Sequence, residues 1–593
     1  MAQARSGTSN GSTPADPPGD GQGKRELIMI GEPSARLRIT PSRATSLSGA
    51  ELGALAAIAE NPAVVVTPLF GPSEDRVLGR DARQHGLDAD ATVAAEGSGP
   101  PLTAEMSRFY HVIAPDDQLD ELVEELRSSP AVAAAYIKPP AELAVLADVG
   151  ERINAMLPDA ADAPPATPDF TSRQGYLDAA PGGVDARWAW TQPGGRGDGV
   201  RIVDCEWGWR FTHEDLTANQ GGVIAGTADP TSNSNATNHG TAVLGEISGD
   251  DNSVGITGIS PNAVISASAF SVATSTAIQS AADNLGRGDI LLLEIHRGGP
   301  NYPGGDTQFG FIAVEWWPDD YLAIRYAVNK GIIVVEAAGN GSQNLDDAVY
   351  DTAQAGFPSW WRNPFRRNVL DSGAVLVGAG APPSGAFGAD RSRLDFSNYG
   401  ASIDAQGWGR QVVSTGYGDL QGGANVDLWY TANFSGTSSA SPIVVGALAC
   451  TQGALIAAGR PRLSPARARE LLRATGSPQQ DGPNGPATQR IGNRPDLRAL
   501  IPAALQNATW TGVQFRGQVP AASTARWFTF QWPAHWHVLW TVMPTSPDPG
   551  HPQIRYRTRV ERATDYYATY WIEVVNLTGK PVDIEARFAV LGW

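Results

Sequence analysis

Cysteine and positive charge are both scarce in this chain. Its 593 residues include only two cysteines, Cys205 and Cys450, and its 44 Lys and Arg residues are outnumbered by 62 Asp and Glu residues, which gives a net charge of −18. Two cysteines cannot build a disulfide framework, so we expect free buried thiols. Because nucleic-acid phosphates need clustered Lys and Arg, the charge balance excludes nucleic acid as a partner and disfavours an anionic membrane surface.

A long uninterrupted apolar segment is also lacking. Residues 1–25 are polar and rich in Gly, Pro and Ser, without the apolar core of a signal peptide, and we expect a disordered tail there. The longest apolar run, residues 440–458, is interrupted by Pro442 and Gly446, which favours a helix buried in a large domain over a membrane span. The sequence therefore predicts no transmembrane helix, and it leaves the compartment open between the cytoplasm and non-classical export.

The length of the chain predicts several domains. Residues 26–140 alternate strand-like and helix-like segments in a βαβ–βαβ order, which suits a small split sheet of ferredoxin-like type with helices on one side. In the second helix-like segment the apolar residues fall on one face, namely Leu119, Leu122, Val123 and Leu126. Residues 141–171 are rich in Ala and Pro, the composition of a linker.

The rest of the chain divides by pattern into an α/β region and a β-rich region. In residues 172–505, apolar runs such as "GVRIVD", "DILLLEI" and "GIIVVEAAG" alternate with helical stretches, which indicates a parallel α/β sheet. Residues 506–593 hold seven of the 17 tryptophans, and the runs "IRYRTRVE" and "VDIEARFAV" alternate as half-buried antiparallel strands do. We interpret this last region as a separate, sandwich-like β module.

Four polar residues of the α/β region suit the chemistry of a nucleophilic serine. Asp204 ends "GVRIVD", His239 lies in "NHGTAVLGEISG", Asn340 ends "GIIVVEAAGN", and Ser438 lies in "NFSGTSSASP". A serine hydroxyl needs a base, an acid that orients the base, and donors for the oxyanion. Taken singly, Asp204 could be a strand-end cap, Asn340 a turn residue and Ser438 a helix N-cap. Together they indicate a hydrolase.

The chain resembles the subtilisin-like serine peptidases over a little more than half of its length. The resemblance is carried by the order Asp, His, Asn, Ser, which is known for that family, and by the motifs "NHGT", "VVEAAGN" and "SGTSSASP". The resemblance implies a three-layer α/β/α sheet and an endopeptidase that hydrolyses proteins through an acyl-enzyme, with no cofactor for catalysis. It implies Ser438 as nucleophile, His239 as base, Asp204 as the carboxylate that orients His239, and Asn340 as an oxyanion donor.

One stretch departs from the family pattern. After the aspartate a short "D-S-G" turn is expected, but the chain reads "DCEWGWRFTHEDL", which we interpret as an insertion of two residues before "HEDL". Glu206 in this stretch raises the alternative of a sedolisin, a Ser-Glu-Asp peptidase of acid pH with a similar serine motif. Sedolisins replace the histidine by glutamate and the oxyanion asparagine by aspartate, so His239 and Asn340 favour the subtilisin type. We interpret Glu206 as a structural or rim carboxylate.

The resemblance also implies two walls of a substrate pocket. "IHRGGP" matches the family's edge strand, which pairs with an extended polypeptide substrate, and the "AAG" before Asn340 matches the opposing wall. The residues assigned to these walls are Arg297, Gly298, Gly299, Ala337, Ala338 and Gly339.

A structural calcium site is implied in the same way. "DDNSVGITGISP" resembles the family's calcium-binding loop. The implied ligands are side-chain oxygens of Asp215 and Asn252 and the carbonyl groups of Val254 and Ile256, an all-oxygen set that suits a hard cation. A plain Asn/Asp/Gly turn is the alternative.

The flanking regions carry two further expectations. Subtilisin-like enzymes commonly have an amino-terminal prodomain of split-βαβ type, and residues 26–140 resemble that plan. We expect self-cleavage in the extended stretch 139–171, unless a cytoplasmic member keeps the region as a permanent module. An alternative of another class is a catalytically silent scaffold whose aromatic carboxy-terminal module binds carbohydrate or protein.

Overall fold

The computed structural model describes residues 23–40, 43–71, 102–146, 166–231, 234–506, 510–534, 536–546, 550–564 and 567–591. Positions 1–22 of the predicted disordered tail, residues 1–25, lie outside these ranges. Most of the predicted linker at 141–171 also lies outside them, from 147 to 165.

The amino-terminal region is an antiparallel sheet packed against helices. Its helices and strands, numbered in chain order, are β1 Glu26–Gly31, β2 Leu37–Thr40, β3 Arg43–Ser46, α1 Ala54–Glu60, β4 Val65–Pro68, α2 Leu102–Met106, β5 Phe109–Ile113, α3 Leu119–Ser128 and β6 Val132–Lys138. Four strands form the sheet in the order β4-β5-β1-β6, with antiparallel neighbours throughout. The predicted apolar face of α3 is confirmed, because all four of its residues are buried in a core shared with the sheet: Leu119, Leu122, Val123 and Leu126.

The central region contains a seven-stranded sheet in which every neighbouring pair is parallel. Its elements are β7 Ala141–Leu143, α4 Ala186–Ala189, β8 Arg201–Glu206, β9 Gln220–Ala225, α5 Asn235–Ser248, β10 Val264–Ala269, α6 Thr274–Asn284, β11 Ile290–Leu293, β12 Ile295–Gly298, β13 Phe311–Ala313, α7 Pro318–Asn329, β14 Ile333–Ala337, β15 Val375–Gly380, β16 Ile403–Trp408, β17 Val412–Thr415, β18 Tyr430–Phe434, α8 Thr437–Ala457, α9 Pro465–Ala474 and α10 Leu497–Leu505. The strand order is β16-β15-β14-β11-β8-β10-β9. Strands such as β11 are buried on both faces and need no polar alternation. The predicted parallel α/β sheet is confirmed.

Two pairs of helices pack on this sheet. Helices α5 and α8 contact each other and the sheet, while α6 and α7 form a second contacting pair. Within the described residues, α8 is the one helix long and apolar enough to span a bilayer, and 89% of its apolar window is buried inside the protein. Helix α8 is therefore part of the core, as predicted from Pro442 and Gly446, which interrupt its apolar run. Cys205 in β8 and Cys450 in α8 are buried free thiols, also as predicted.

Neighbouring strands bring polar residues to one edge of the sheet. In the order β14-β11-β8, β8 ends at Glu206, β11 is followed directly by Glu294, and Asn340 follows β14 after a short loop. The carboxyl edge of an open parallel sheet is where such folds form their sites. The chemistry-bearing residues therefore gather at this edge.

The carboxy-terminal region is made of two antiparallel sheets that share a core. Its strands are β19 Trp510–Val519, β20 Thr524–Pro533, β21 Val538–Pro544, β22 Ile554–Arg562, β23 Tyr567–Asn576 and β24 Val582–Val590. The sheet orders are β19-β24-β21 and β20-β23-β22. The predicted alternation is confirmed for β24, in which every second residue is buried. It is wrong for β22, which is almost entirely exposed because it lies at a sheet edge, where charged side chains discourage further pairing.

Most of the tryptophans in this region serve its core. Trp532 lies 5.2 Å from Trp540 and 5.0 Å from Phe588, measured between ring centroids. Such edge-to-face contacts stabilise a core beyond the area they bury. The aromatic content of the module is therefore explained largely by packing.

Candidate active site

Ser438 is the second residue of α8 and is fully buried. The N-cap of the helix is Gly436, not the serine, and its φ of +92° is open to glycine alone without strain. A Cβ at Gly436 would lie 2.1 Å from the carbonyl oxygen of Ala144. The first turn of a helix presents unpaired N–H groups and the positive end of the helix dipole, so negative charge is favoured beside Ser438.

His239 lies near the start of α5. The side chain of Ser234 caps this helix by accepting a hydrogen bond from the backbone N–H of Thr237 at 3.1 Å. The imidazole is fully buried against Phe434, with ring centroids 5.3 Å apart. Burial lowers the pKa of His239 to about 3. The ring is therefore neutral and able to accept a proton at Nε2.

The carboxylate that contacts His239 belongs to Glu206 and not to Asp204. Glu206 Oε2 lies 2.6 Å from His239 Nδ1. Asp204 lies two residues earlier on the same face of β8, and its Oδ2 accepts a hydrogen bond from Trp209 Nε1 at 2.7 Å. The predicted direct contact between Asp204 and His239 is thus corrected. Because β8 continues two residues beyond Asp204, the strand-end position that faces α5 belongs to Glu206.

Asp204 and Glu206 are buried carboxyls on one face of β8, close enough for each to shift the pKa of the other. Asp204 Oδ1 and Glu206 Oε1 have no donor among the described groups, and a hydrogen bond between two carboxyls requires a proton. Burial, and then the charge of Glu206, raise the pKa of Asp204, and burial raises the pKa of Glu206. Such a hydrogen bond favours the proton on Asp204, which leaves Glu206 as the partner that accepts from His239.

A simpler alignment of the sequence points to Glu206. If no residues are inserted before "HEDL", the family's "D-S-G" turn aligns with Glu206, Trp207 and Gly208, and glutamate takes the place of the aspartate. Gly208 fits this alignment, because a Cβ there would lie 2.6 Å from the Thr237 hydroxyl oxygen in α5. The alignment without an insertion therefore agrees with the contact between Glu206 and His239.

Glu294 adds a third buried carboxyl at this edge. It follows β11 directly, and β11 pairs with β8 so that Leu293 lies beside Cys205. Burial raises the pKa of Glu294, and the charge of Glu206 raises it further. The Ser438 hydroxyl is near enough to lower this pKa, although the two side chains make no hydrogen bond of normal geometry. A neutral carboxylic acid therefore lies close to the serine.

Asn340 is held with its amide group in a fixed orientation. Its Oδ1 accepts hydrogen bonds from the backbone N–H of Thr437 at 2.9 Å and from the Thr437 hydroxyl at 3.0 Å. Its own backbone N–H donates to His296 Nδ1 at 3.2 Å. With the oxygen occupied by the residue before Ser438, the Nδ2 donor is the atom left to stabilise an oxyanion.

A segment of the chain itself lies along the predicted substrate-binding strand. Strand β7 pairs antiparallel with β12, with Leu143 opposite Ile295 and Ala141 opposite Arg297. The next carbonyl oxygen, that of Ala144, accepts a hydrogen bond from the Ser438 backbone N–H at 3.2 Å. The prediction of a linker is therefore wrong for residues 141–146, which are extended and largely buried because β12 offers them an open edge.

The first predicted pocket wall is lined by the chain that follows it. A Cβ on Gly298 would meet the Tyr302 ring at 2.5 Å, and a Cβ on Gly299 would meet the Ile312 side chain at 2.7 Å. Phe311 of β13 pairs with Gly298. Glycine is needed at both positions because this chain packs directly on their backbone.

The opposing wall contacts the same strand. Asn398 Nδ2 donates to the carbonyl oxygen of Ala338 at 2.6 Å and to that of Phe311 at 2.8 Å. Gly339 has a φ of +97°, and Ala337 ends β14. Strand β13, which the sequence analysis did not anticipate, therefore contacts both walls and narrows the space between them.

Arg297, predicted as a substrate-binding residue, holds the amino-terminal region instead. Its guanidinium is fully buried and lies 2.7 Å from Glu26 Oε1 and 2.8 Å from the Thr274 hydroxyl. It also donates to the carbonyl oxygen of Pro139. A cluster of buried charges thus joins β1 and the end of β6 to the strand that pairs with β7.

Lys138 completes this cluster. Its Nζ lies 2.6 Å from Asp319 Oδ2 and 3.0 Å from Asp320 Oδ1 at the start of α7. It also lies 2.9 Å from Glu26 Oε2. A lysine buried this deeply is tolerated because carboxylates and the amino end of a helix surround it with defined partners.

The residues of the implied calcium site do not fit a cation. Asp215 Oδ1 accepts from Asn252 Nδ2 at 2.8 Å, and its Oδ2 accepts from the Ile256 N–H at 2.7 Å and the Tyr430 hydroxyl at 2.9 Å. Asn252 Oδ1 accepts from the Val254 N–H at 2.8 Å. Each side-chain oxygen is thus satisfied by a protein donor. The stretch is therefore the Asn/Asp/Gly turn that was the alternative.

Comparison with known proteins finds similarity to peptidases over about half of the chain. The model of the subtilase family of peptidases matches residues 210–493. Subtilisin DY from Bacillus licheniformis is 27% identical over 291 residues, which cover 48% of this chain and 85% of that protein. The intracellular serine protease of Paenibacillus polymyxa is 28% identical over 288 residues, 45% of this chain and 70% of that protein.

Two further proteases are similar over part of this chain. The alkaline protease of Alkalihalobacillus alcalophilus is 27% identical over 257 residues, 43% of this chain and 54% of that protein. A solved protease structure from Pseudoalteromonas arctica PAMC 21717 covers 57% of this chain and 100% of that chain at 21% identity, with a TM-score of 0.40. The match of the subtilase family to residues 210–493 and the named relatives together support a subtilisin-like serine endopeptidase.

Proposed function

We propose that this chain cleaves peptide bonds in proteins with Ser438 as nucleophile, His239 as general base and Glu206 as the carboxylate that orients His239. The observation that carries the proposal is the 2.6 Å contact between Glu206 Oε2 and His239 Nδ1. A carboxylate at Nδ1 holds the proton there, leaves Nε2 free to accept the serine proton, and stabilises the imidazolium that results. In the described part of the chain, His239 Nε2 and Ser438 Oγ make no hydrogen bond, either with each other or with another group, so both atoms are available for the proton transfer.

The steps follow from these positions. Ser438 Oγ attacks the carbonyl carbon of the substrate as its proton passes to His239 Nε2. The tetrahedral oxyanion accepts hydrogen bonds from the Ser438 N–H and from Asn340 Nδ2. When the C–N bond breaks, His239 returns the proton to the leaving amine, and an acyl-enzyme remains. Water then attacks the acyl-enzyme with the same proton transfers and regenerates the serine.

Asp204 acts through Glu206 in this scheme. A protonated Asp204 donates to Glu206 Oε1, while the Trp209 N–H donates to Asp204 Oδ2. This arrangement orients the glutamate without adding a second negative charge beside it. It gives a fixed position to a side chain that is one methylene longer than the family's aspartate.

We further infer that residues 26–140 form a prodomain-like region of split-βαβ type that keeps the enzyme inactive. The contact that supports this is the Ala144 carbonyl oxygen at 3.2 Å from the Ser438 N–H, because that donor belongs to the oxyanion site. The buried cluster around Lys138 supports it too, since it fixes the end of β6 and so delivers β7 to the cleft. The catalytic region is therefore blocked by its own chain until a bond is cut.

A fluorophosphonate probe, which labels only an activated serine, tests the proposal. The chain is incubated to allow self-processing and then labelled, alongside Ser438→Ala and the matched control Ser441→Ala, a buried serine one helical turn away whose hydroxyl donates to the Thr437 carbonyl. Wild type and Ser441→Ala should label, and Ser438→Ala should not. Equal labelling of wild type and Ser438→Ala, or no labelling of wild type, would favour the silent scaffold instead.

A further inference from the structure

Gln308 lies in the loop that joins β12 to β13 and contacts the segment in the cleft on both sides of Ala144. Its Nε2 donates to the carbonyl oxygen of Val145 at 2.8 Å and to that of Leu143 at 3.3 Å. Its Oε1 accepts a hydrogen bond from Asn340 Nδ2 at 3.3 Å. One side chain therefore touches the residues before and after Ala144 and also the oxyanion amide.

The backbone around Gln308 is anchored to the wall that carries Asn340. The Gly310 N–H donates to the carbonyl oxygen of Gly341 at 3.0 Å, and the Phe311 N–H donates to that of Gln308 at 3.0 Å. Gly310 has a φ of +85°, and a Cβ there would lie 2.5 Å from the Tyr302 backbone nitrogen. The backbone at Gln308 is thus held by contacts that do not involve the peptide in the cleft.

We propose that Gln308 is a substrate-binding residue of this peptidase that clamps the peptide across the scissile bond. In a bound substrate it binds two carbonyl groups. One belongs to the residue before the attacked residue, at the position of Leu143, and the other belongs to the residue after it, at the position of Val145. The proposal rests on the proposed function, in which Ser438 attacks the residue at the position of Ala144.

A primary amide suits this task. It offers two N–H donors and one acceptor on a single planar group, so Nε2 serves the peptide while Oε1 takes one proton of Asn340 Nδ2. The other Nδ2 proton remains free for the oxyanion. Both peptide contacts are to backbone carbonyl groups, so the clamp works on any substrate sequence that continues beyond the scissile bond.

That last condition separates two kinds of substrate. A peptide has a carbonyl group on the leaving side, at the position of Val145, whereas a p-nitroanilide has none. We expect Gln308 to accelerate cleavage of the peptide and to contribute less to cleavage of the anilide. A residue with only a structural role would affect both alike.

The test compares kcat/KM for two substrates that share the acyl half Ala-Glu-Leu-Ala, the sequence of residues 141–144. One continues with Val-Leu, as in the chain, and the other ends in p-nitroanilide. Relative to wild type, we expect the kcat/KM of Gln308→Ala to fall roughly tenfold more on the peptide than on the anilide, which is the effect of about one hydrogen bond. Asp306→Asn, an exposed neighbour in the same loop, is the control. Its charge acts on Glu142, whose counterpart both substrates share, so it should leave the peptide-to-anilide ratio unchanged.

Gln308→Glu sharpens the test. The glutamate keeps an acceptor for Asn340 but has no donor when ionised, so near neutral pH it should show the same selective loss on the peptide. As the pH falls and the carboxyl becomes protonated, the peptide-to-anilide ratio should recover in part. A peptide-to-anilide ratio for Gln308→Ala equal to that of wild type would overturn the proposal.

A second measurement does not depend on activity. In the uncleaved Ser438→Ala protein, Gln308→Ala should accelerate amide hydrogen exchange in residues 141–146, because the clamp on Leu143 and Val145 is lost. Unchanged exchange there would also overturn the proposal. Failure of the proposed function is distinguishable, since in that case wild type itself would not label with the fluorophosphonate probe.

Discussion

Glu206 Oε2 lies 2.6 Å from His239 Nδ1, while Asp204 on the same strand accepts a hydrogen bond from Trp209 Nε1. The two carboxyls therefore have different tasks, and substitution should separate them. Glu206→Gln presents an amide that can bind the wrong histidine tautomer, so we expect kcat to fall by about 10⁴-fold, the effect of removing the charge from the triad aspartate of a serine protease. Asp204→Asn keeps a donor to Glu206 and should cost about tenfold or less.

Steady-state kinetics on a peptide substrate checks this order, with circular dichroism to confirm that both variants are folded. A larger loss in Asp204→Asn than in Glu206→Gln would return the orienting role to Asp204.

Self-cleavage is expected between Ala144 and Val145. The Ala144 carbonyl oxygen accepts from the Ser438 N–H, so its carbon is the one that the serine would attack. Wild type should yield a new amino terminus that begins Val-Leu-Ala-Asp, read by amino-terminal sequencing, whereas Ser438→Ala should keep the intact mass of 62.4 kDa. A new terminus within residues 147–165 would show that the bond held in the cleft is not the one cut.

The buried ion cluster should be required to hold the amino-terminal region in place. Lys138→Met leaves Asp319 and Asp320 facing a neutral side chain, and breaking a buried pair from one side typically costs about 3–5 kcal/mol. Denaturant unfolding in the Ser438→Ala background measures the loss. The control is Arg25→Ala, which removes surface ion pairs with the exposed carboxylates of Asp116 and Asp120 and should cost about 1 kcal/mol or less for each pair. Equal losses in the two variants would contradict a central role for Lys138.

Glu246 should make the protein less stable as the pH rises. It is fully buried on α5 without a hydrogen-bond partner among the described residues, and burial raises its pKa well above the usual 4.5. The folded state binds this proton more tightly than the unfolded state. The stability that protonated Glu246 contributes is therefore complete below about pH 4.5 and is lost as the pH rises through the pKa of the folded state. Glu246→Gln should therefore raise the melting temperature at pH 8 and change it little at pH 4.

Melting curves of Ser438→Ala with and without the Glu246→Gln substitution give this comparison. His239 works in the opposite direction, since its lowered pKa removes stability as the pH falls below about 6.5, but it is common to both proteins. A stabilisation by Glu246→Gln that is the same at both pH values would exclude the buried charge as its cause.

Chelation should leave thermal stability unchanged. Asp215 and Asn252 already use their side-chain oxygens for hydrogen bonds within the protein, so no cation is needed to neutralise them. A protein purified in the presence of calcium should melt at the same temperature before and after treatment with EGTA. A lower melting temperature after EGTA would point to a metal site elsewhere in the chain.

Sequence alone located the strand ends and helix starts of the site because these follow from apolar runs and short motifs. It identified His239, Asn340 and Ser438 as candidates in this way. It missed the contact made by Glu206, because the carboxylate was chosen by residue type and not by its spacing from "HEDL". Whether the longer side chain of Glu206 reaches His239, and whether it shares a proton with Asp204, depends on how β8 packs against α5 in three dimensions.

Other features could not be read from composition. Residues 141–146 read Ala-Glu-Leu-Ala-Val-Leu and have no strong strand propensity, and Ala141–Leu143 becomes a strand only because β12 provides an unpaired edge. Gln308 lies in a Gly/Pro-rich loop with no motif, and its contacts arise from the anchoring of Gly310 to Gly341. In both cases long-range partners decide the structure.

The pairing of β7 with β12 within one chain also determines how inhibition responds to dilution. While the peptide bond after Ala144 is intact, the blocking strand is tethered to the cleft, and its effective concentration is independent of the amount of protein present. Once that bond is cut, the amino-terminal region can dissociate, and the same contacts obey an ordinary two-body equilibrium. Hydrolysis of this one bond would thus change inhibition from independent of protein concentration to weaker on dilution.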